Sequence, residues 1–372
     1  MAQPVETPCQ SDSFPNRQTM YKERLFHKYS DEAIRRYLES DECPLSRFVG
    51  NQDAIGTLRS LAFQAWKNKN HATISSNTGK PEKINVALVG GPGLGKTTLA
   101  KLFAQTLLLP FIELSKTNEV QQIFDAISEG LKASGQELTL HNGKYIAQPN
   151  VLFIDEVHRF CSQARKAPKG IMNDLLKATE PDDARLVKQG SWHLDCTNIC
   201  FTVATTEWYL LPKPFRERFE KIELLPYTDD ECTAIVMSRF PSIPREAAAL
   251  AAFYGRNIPR VAISYCKIFN LERDYKKLSW IDAAESVAQK KGIDEFGMDR
   301  DGLSVLMILA KNEYLSTDKL ANYCGKNEIE LLEMVLPALV TPPKAEPFIR
   351  HTRRGWMLLP AGIDEVKKRK VA

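Results

Sequence analysis

An eight-residue run near position 90 has the residue types of a phosphate-binding loop. Gly90 to Thr97 reads G-G-P-G-L-G-K-T, which fits the pattern G-x-x-x-x-G-K-T. It ends the apolar run 84–90 and opens a helical pattern at 97–108, which is the context that such a loop requires. Its glycines let backbone N–H groups turn toward phosphate oxygens, and the helix N-terminus adds partial positive charge. The sequence therefore predicts that this loop binds the phosphates of a nucleotide.

The last two residues of the loop have predicted roles of their own. The Lys96 ammonium is expected to reach the β- and γ-phosphates, and the Thr97 hydroxyl to ligate Mg²⁺. ATP and Mg²⁺ are therefore the expected cofactors. The predicted nucleotide-binding residues of this segment are Gly91, Pro92, Gly93, Leu94, Gly95, Lys96, Thr97 and Thr98.

An acidic pair ends a second apolar run, N-V-L-F-I-D-E at 150–156, and lies 59 residues beyond Lys96. An acid at the carboxyl end of a parallel strand faces the ligand crevice. Asp155 is predicted to hold Mg²⁺, mainly through water, and Glu156 to polarise the attacking water. For a lone acidic pair, the alternative is a solvated strand end. Together with the phosphate loop, the pair favours ATP hydrolysis.

The elements that must position these residues alternate between strands and helices. Residues 110–115 and 198–206 also read as strands, so the sequence predicts an α/β fold: a parallel sheet with helices on both faces. Two hairpins, at 137–148 and 185–195, interrupt this core. The first contains Asn142-Gly143, the favoured two-residue hairpin turn.

Four segments follow from the changes in pattern. We predict a partly disordered N-terminal extension at 1–43, a P-loop ATPase domain at 44–227, a helical lid domain at 228–297 and a winged helix with a basic tail at 298–372. No run of about 18 apolar residues is present and the N-terminus lacks a signal-peptide pattern, so no membrane association and a cytoplasmic location are expected. Cys196 and Cys200 have no partner pair, which favours buried thiols over a zinc site.

Five motifs occur in the order typical of AAA+ ATPases. They are the loop itself, DEVHRF (155–160), ATT (204–206), PFRERF (214–219) and NIPR (257–260). Residues 45–369 most closely resemble the RuvB family of bacterial Holliday-junction branch-migration motors. Three segments point to this family: RFVGNQDAI (47–55), GIDEFGMDRDG (292–302) and HTRRG (351–355). The resemblance implies an ATP-hydrolysing ring motor of the helicase type that acts on DNA in recombination and repair.

The resemblance also implies roles for residues outside the loop. Phe48 and Val49 would line the adenine pocket. Thr206, with Thr205 beside it, would be the sensor that positions water, and Arg260 in the lid would be a second sensor that touches the γ-phosphate.

An arginine finger is implied for PFRERF. Arg218 is the preferred candidate and Arg216, two residues earlier, is the competing one. A finger acts on the γ-phosphate of a neighbouring subunit, so the resemblance implies a homo-oligomer, most plainly a hexameric ring.

The positive charge lies at the C-terminal end. Residues 344–372 hold eight Lys and Arg against three Asp and Glu, a local charge of +5, so the other 343 residues sum to −1. The third helix of the predicted winged helix is acidic, whereas the wing carries Arg350, Arg353 and Arg354. Backbone-directed contact with duplex or junction DNA through wing and tail is therefore expected. The alternative is a winged helix that contacts protein.

Two further questions stay open at this stage. The hairpin 185–195, with Trp192, either contacts a protein partner, as in the resembled motor, or belongs to the core. Residues 1–43 and 134–149 have no counterpart in the family, so a divergent relative from a mobile element, phage or defence system is a second interpretation. Such a protein would use ATP as a switch to recruit or remodel another DNA-bound protein.

Overall fold

The computed structural model describes residues 30–71, 83–114, 120–160, 170–181, 183–188, 192–340, 342 and 345–371. The chain forms two compact units, which meet in sequence between Leu225 and Pro226. Most of the N-terminal extension and the turn of the 185–195 hairpin lie outside the described residues.

Among the described residues, the first unit contains nine strands. They are β1 (Val86–Val89), β2 (Phe111–Leu114), β3 (Thr139–His141), β4 (Lys144–Ile146), β5 (Asn150–Ile154), β6 (Arg185–Lys188), β7 (Trp192–Asp195), β8 (Ile199–Thr205) and β9 (Glu220–Glu223). Five of them form a parallel sheet in the order β2-β5-β8-β1-β9. The predicted α/β fold with a parallel sheet is confirmed.

The described helices of the first unit are α1 (Asp31–Glu39), α2 (Gln52–His71), α3 (Lys96–Thr106), α4 (Val120–Ala133), α5 (Ile171–Ala178) and α6 (Lys213–Arg216), with single turns at Pro44–Arg47, Val157–Phe160 and Trp208–Leu210. Ser30 caps α1 by accepting a hydrogen bond from the Ala33 N–H at 3.1 Å. No described helix of the chain is long and apolar enough to cross a membrane.

The central strands are buried on both faces. Every residue of β1 and of β5 is buried, because helices lie against the two faces of a parallel sheet. Phe103 of α3 and Phe153 of β5 are completely enclosed. This rigid layer holds the loops that follow β1, β5 and β8 at one edge of the sheet.

The two predicted hairpins form one sheet. β3 and β4 pair around Asn142 and Gly143, both at positive φ, as a two-residue turn of this kind requires. β4 then pairs in parallel with β7, which gives the order β3-β4-β7-β6. This joining was not predicted, since a local pattern shows that strands exist but not which strands pair.

The second unit contains the helices and the ribbon predicted beyond residue 228. Its helices are α7 (Asp229–Arg239), α8 (Arg245–Tyr254), α9 (Pro259–Lys276), α10 (Trp280–Lys291), α11 (Arg300–Leu309), α12 (Thr317–Cys324), α13 (Glu328–Glu330), α14 (Leu336–Val340) and α15 (Pro360–Val371). A π-helical turn at Leu331–Val335 joins α13 to α14. The ribbon is β10 (Ile349–Thr352) paired antiparallel with β11 (Gly355–Leu358).

The predicted basic tail is a helix, and part of its charge is used within the fold. The guanidinium of Arg369 in α15 pairs with Asp294, which precedes α11, and with Glu365 at 2.7 Å. Lys367 and Lys368 are exposed beside Asp364 and Glu365, at 3.8 and 3.9 Å. The basic C-terminal stretch is thus helical, and Arg369 is engaged within the fold, whereas Lys367 and Lys368 stay exposed to solvent.

Candidate active site

The phosphate loop follows β1 directly. The Gly90 N–H donates to the Thr205 carbonyl at 3.3 Å, which fixes the loop to the end of β8. Gly93 and Gly95 have φ of 78° and 92°, a region that residues with a Cβ rarely adopt. A Cβ at Gly90 would lie 2.8 Å from the Leu224 carbonyl oxygen. The glycines of the pattern are therefore required by the shape of the loop.

Lys96 begins α3 and lies folded over the loop. Its side chain is buried, and its ammonium donates to the carbonyls of Gly90 and Gly91 at 2.8 and 2.9 Å. The next residue, Thr97, is half-buried on the first turn of α3. The ammonium thus lies inside the turn of the loop, where a phosphate would meet it.

The acidic pair lies where β5 ends. Asp155 is exposed, and its Oδ1 accepts the Glu156 N–H at 3.0 Å. Glu156 has φ of 48°, a conformation that costs a non-glycine residue about 1–3 kcal/mol. The Thr206 hydroxyl donates to its Oε2 at 3.3 Å. The structure therefore brings the acidic pair and the predicted sensor together at one edge of the sheet.

His158 is a neighbour of Glu156 that sequence reasoning did not single out. It lies in the turn Val157–Phe160, and its Nδ1 is 3.2 Å from Glu156 Oε2 and 2.9 Å from Thr205 Oγ1. Its position two residues after the acidic pair, inside DEVHRF, was the available signal.

The two candidate fingers differ in their surroundings. Arg218 pairs with Glu180, which follows α5, and donates to the Pro214 carbonyl at 3.1 Å. Arg216 lies over the ring of Tyr209, 5.8 Å from its centroid. The sequence did not predict the pair with Glu180, because 38 residues separate the partners along the chain.

The backbone of Arg218 is tied to the amino end of β1, opposite to the phosphate loop. The amide of Asn85 donates to the carbonyls of Arg218 and Thr179 at 3.2 and 3.3 Å. From Asn85 to Gly90 the extended chain advances about 16 Å, which exceeds the reach of an arginine side chain. The backbone of Arg218 thus lies at the end of the sheet opposite to its own phosphate loop.

A buried lysine, Lys83, makes further hydrogen bonds near the amino ends of these strands. The Lys83 ammonium donates to the carbonyls of Ala178 and Cys196 at 2.7 and 2.9 Å, and burial lowers its pKa to about 8. Burial raises the pKa of the Cys196 thiol to about 12 and that of Cys200 to about 11. Both cysteines therefore stay protonated near neutral pH, and no metal-binding group of three or more His, Cys, Asp or Glu occurs among the described residues.

The remaining predicted nucleotide contacts fall in both units. Phe48 is buried and Val49 half-buried after the turn Pro44–Arg47, which packs against α3. Arg260 is exposed on the first turn of α9, in the second unit. Their roles toward adenine and the γ-phosphate stay predictions.

The wing residues are exposed on one ribbon. Arg353 and Arg354 form the turn between β10 and β11, and Arg350 lies on β10. Arg354 lies over Tyr314, 5.7 Å from the ring centroid, and Arg350 Nε contacts Met357 sulfur at 3.5 Å. None of the three arginines forms an ion pair with a described residue, so their charge is available.

Trp192 packs inside the first unit. Its ring lies 4.4 Å from that of Phe124 on α4, and its indole N–H donates to Gln121 at 3.0 Å. Tyr145 of β4 also contacts Phe124 in an edge-to-face arrangement, with the ring centroids 5.2 Å apart. The sequence left open whether Trp192 contacts a protein partner or belongs to the core. Its contacts with Phe124 and Gln121 fit a core residue. The partner contact through this hairpin stays a prediction for its outward residues, such as the exposed His193.

The order of the strands and the positions of these residues define the class of protein. A phosphate loop after β1, an acidic pair after β5 and a threonine after β8 meet at the carboxyl edge of a five-stranded parallel sheet. This is a P-loop ATPase of the AAA+ class. Residues 86–227 match the ATPase family associated with various cellular activities (AAA), so the protein contains a domain of that family and is an ATP hydrolase.

Its similarity to RuvB extends over most of the chain. The Holliday junction branch migration complex subunit RuvB of Anaplasma marginale (strain Florida) is 26% identical over 362 residues, which cover 91% of this chain and 96% of the relative. The RuvB subunit of Bdellovibrio bacteriovorus is 28% identical over 74% of this chain and 80% of its own. The structure of the Thermotoga maritima RuvB Holliday junction branch migration motor shares the fold, with a TM-score of 0.63 at 24% identity, over 89% of this chain and 98% of that one. The protein is thus a divergent, RuvB-like AAA+ ATPase.

Proposed function

We propose that this protein is an ATP-driven ring motor that acts on DNA, a helicase-type activity in recombination and repair. The observation that carries the proposal is the similarity to RuvB subunits, which spans the ATPase, lid and winged-helix segments alike. The intact phosphate loop, acidic pair and threonine sensor support turnover of ATP. The exposed arginines of the wing support a DNA substrate.

The donor set of the site fits Mg²⁺. Mg²⁺ prefers oxygen ligands and keeps several waters, so one hydroxyl and one carboxylate suffice. Thr97 would supply the hydroxyl, which has no hydrogen bond to a described residue, and the exposed Asp155 the carboxylate. When bound, the ion would neutralise charge on the β- and γ-phosphates. Phe48 and Val49 would contact the adenine, and Arg260 the γ-phosphate.

A ring explains the position of Arg218. Because its backbone lies at the end of the sheet opposite to the loop, we expect its guanidinium to serve a nucleotide in a second subunit. Tyr209, 82% exposed, and Leu210, 40% exposed, leave apolar surface beside this segment, which suits a subunit contact. The pair with Glu180 must open when a neighbour's γ-phosphate arrives. A hexamer is the ring size that we propose.

Contact with DNA through the wing should be directed to the backbone. The turn between β10 and β11 presents two adjacent arginines. On α13, in the third helical segment of the winged helix, Glu330 is acidic and is already paired with Lys326 at 2.6 Å. A ribbon of arginines neutralises phosphates and releases counterions whatever the base sequence. We therefore propose duplex or junction DNA as the substrate, recognised by shape and charge.

Replacing Arg353 and Arg354 together by Ala should weaken binding to all DNA sequences about equally. The slope of log affinity against log salt should flatten by up to about two units, because each phosphate neutralised contributes about −0.9. Fluorescence-anisotropy titration at several salt concentrations measures both quantities. ATP turnover without DNA should persist, since the wing lies in a different unit from the phosphate loop.

A matched control removes the same charge elsewhere in the winged helix. Lys367→Ala with Lys368→Ala alters two exposed lysines of α15 that lie beside acidic residues. This pair should change the salt slope much less. Equal changes of the salt slope in the two double variants, or an unchanged slope in the wing variant, would show that the wing is not the main DNA contact. A changed preference among sequences would contradict backbone-directed binding.

The proposed motor is distinguished from an ATP-switched assembly factor by two assays. A motor should hydrolyse ATP faster with DNA and move the branch point of a synthetic four-way junction in an ATP-dependent way. A switch should bind DNA or a partner protein with ATP, turn over slowly and leave the junction in place. Junctions that stay unmoved despite DNA-stimulated hydrolysis would refute the motor as stated. The similarity to RuvB over most of the chain favours the motor.

A further inference from the structure

His158 lies between two carboxylates at the carboxyl edge of the sheet. On one side its Nδ1 is 3.2 Å from Glu156 Oε2, and on the other its Nε2 is 3.5 Å from Glu207 Oε2. Its side chain is 15% exposed, so the ring has little room to turn. No role for this side chain follows from the phosphate loop or from the roles assigned above.

The hydrogen-bonding role of Nδ1 follows from the acceptors that surround it. Thr205 Oγ1, 2.9 Å from Nδ1, already accepts the Glu207 N–H at 2.9 Å. An ionised carboxylate can only accept. A lone pair on Nδ1 would face the lone pairs of Glu156 Oε2, whereas an N–H there meets two oxygens. These contacts fit Nδ1 as an N–H donor to Glu156 Oε2.

The contacts of Glu156 are divided between its two oxygens. Oε2 receives the Thr206 hydroxyl at 3.3 Å and faces His158 Nδ1, while no described side chain donates to Oε1. The backbone of Glu156 is fixed at positive φ, but the carboxylate could still rotate about its side-chain bonds. Holding Oε2 from two sides therefore sets the direction in which Oε1 points.

We propose that His158 is a positioning residue for Glu156. Its Nδ1–H, together with the Thr206 hydroxyl, holds Oε2, so that Oε1 is presented to the water that attacks the γ-phosphate. Orientation of this kind contributes strongly to the rate of hydrolysis, because a small displacement of a reacting group lowers that rate considerably. The inference rests on the proposed role of Glu156 in polarising water, and it is independent of any action on DNA.

The two ring nitrogens can be tested separately. The Nδ2–H₂ of Asn can take the place of His Nδ1, and the longer Gln places its Nε2–H₂ nearer to His Nε2. If the contact with Glu156 is the functional one, His158→Asn should retain more activity than His158→Gln. Glu207→Gln, which alters only the partner of Nε2, serves as the matched control and should lose the least.

The experiment measures ATP hydrolysis without DNA for the wild type and these variants. In His158→Ala, kcat should fall about 10- to 100-fold, the size of effect that a misplaced group produces. Affinity for a fluorescent non-hydrolysable ATP analogue should be unchanged, because His158 contacts no residue of the phosphate loop through its ring. The thermal unfolding midpoint of each variant is recorded alongside.

Three results would overturn the proposal. The first is a wild-type kcat in His158→Ala. The second is a fall in nucleotide affinity large enough to account for the lost activity. The third is a loss of kcat that follows the thermal unfolding midpoint of each variant instead of the chemistry of the substituted side chain. Glu156→Gln is assayed in the same series. Wild-type kcat there would refute the role of Glu156 itself, which is a separate failure from that of His158.

Discussion

Glu156→Gln protein is expected to bind ATP and leave it unhydrolysed. The amide keeps the size of the side chain and can still contact Thr206, but it cannot polarise water as a carboxylate does. Removing a group that activates the nucleophile typically lowers the rate by about 10²–10⁴. Single-turnover hydrolysis of labelled ATP and filter binding of the retained nucleotide measure the two expectations together.

Lys96→Ala is the contrasting variant, because it should fail at binding. The buried ammonium inside the loop turn is the positive charge that meets the β- and γ-phosphates. Its loss should abolish nucleotide binding and hydrolysis together, whereas Glu156→Gln separates them. Turnover at the wild-type rate in purified Glu156→Gln would refute the assignment of the acidic pair. Tight ATP binding by Lys96→Ala would refute that of the loop.

The parts of the site that lie in continuous motifs were predictable from sequence. The loop needs positive φ at Gly93 and Gly95, so its glycines reveal its shape. Strands β1, β5 and β8 were predicted to within two residues of their ends, because buried parallel strands are short apolar runs. Their carboxyl ends share one edge, which is why the acidic pair and Thr206 could be assigned to one site.

The contacts that were missed join distant parts of the chain. Periodicity reports which residues are buried and gives no information on their partners. The pair between Arg218 and Glu180, the parallel pairing of β4 with β7, and the packing of Trp192 on Phe124 are all of this kind. His158 was missed for another reason, since a histidine two residues after a catalytic acid has many structural uses.

In the second unit, the alternation of helices and the ribbon was predictable, but two features were not. The third helix of the winged helix contains a π-helical turn at Leu331–Val335, which no residue type in that stretch specifies. The basic C-terminal stretch folds as α15, and its Arg369 pairs with Asp294, a partner 75 residues away that the charge of the stretch does not reveal.

Arg218→Ala protein is expected to bind ATP and to show a kcat for ATP hydrolysis about 10³–10⁵-fold below that of the wild type, which is the contribution of an arginine finger. The reason is geometric: the backbone of Arg218 lies at the end of the sheet opposite to its own phosphate loop, which is the position we expect of a residue that acts on a neighbour's nucleotide. Arg216→Ala is the matched control, since it removes the same charge two residues earlier. Steady-state ATPase assays at protein concentrations that favour assembly measure both.

Mixing variants tests whether the finger acts between subunits. Arg218→Ala subunits have an intact phosphate loop, and Lys96→Ala subunits have an intact finger. In a mixed ring, some sites combine the loop of the first with the Arg218 of the second, so activity should partly return although each variant alone is inactive. Sedimentation of the mixture establishes that the subunits assemble. Co-assembled rings that stay inactive would contradict a finger in trans. Loss of turnover in Arg216→Ala, with Arg218→Ala unaffected, would assign the finger to Arg216 and leave Arg218 as the structural partner of Glu180.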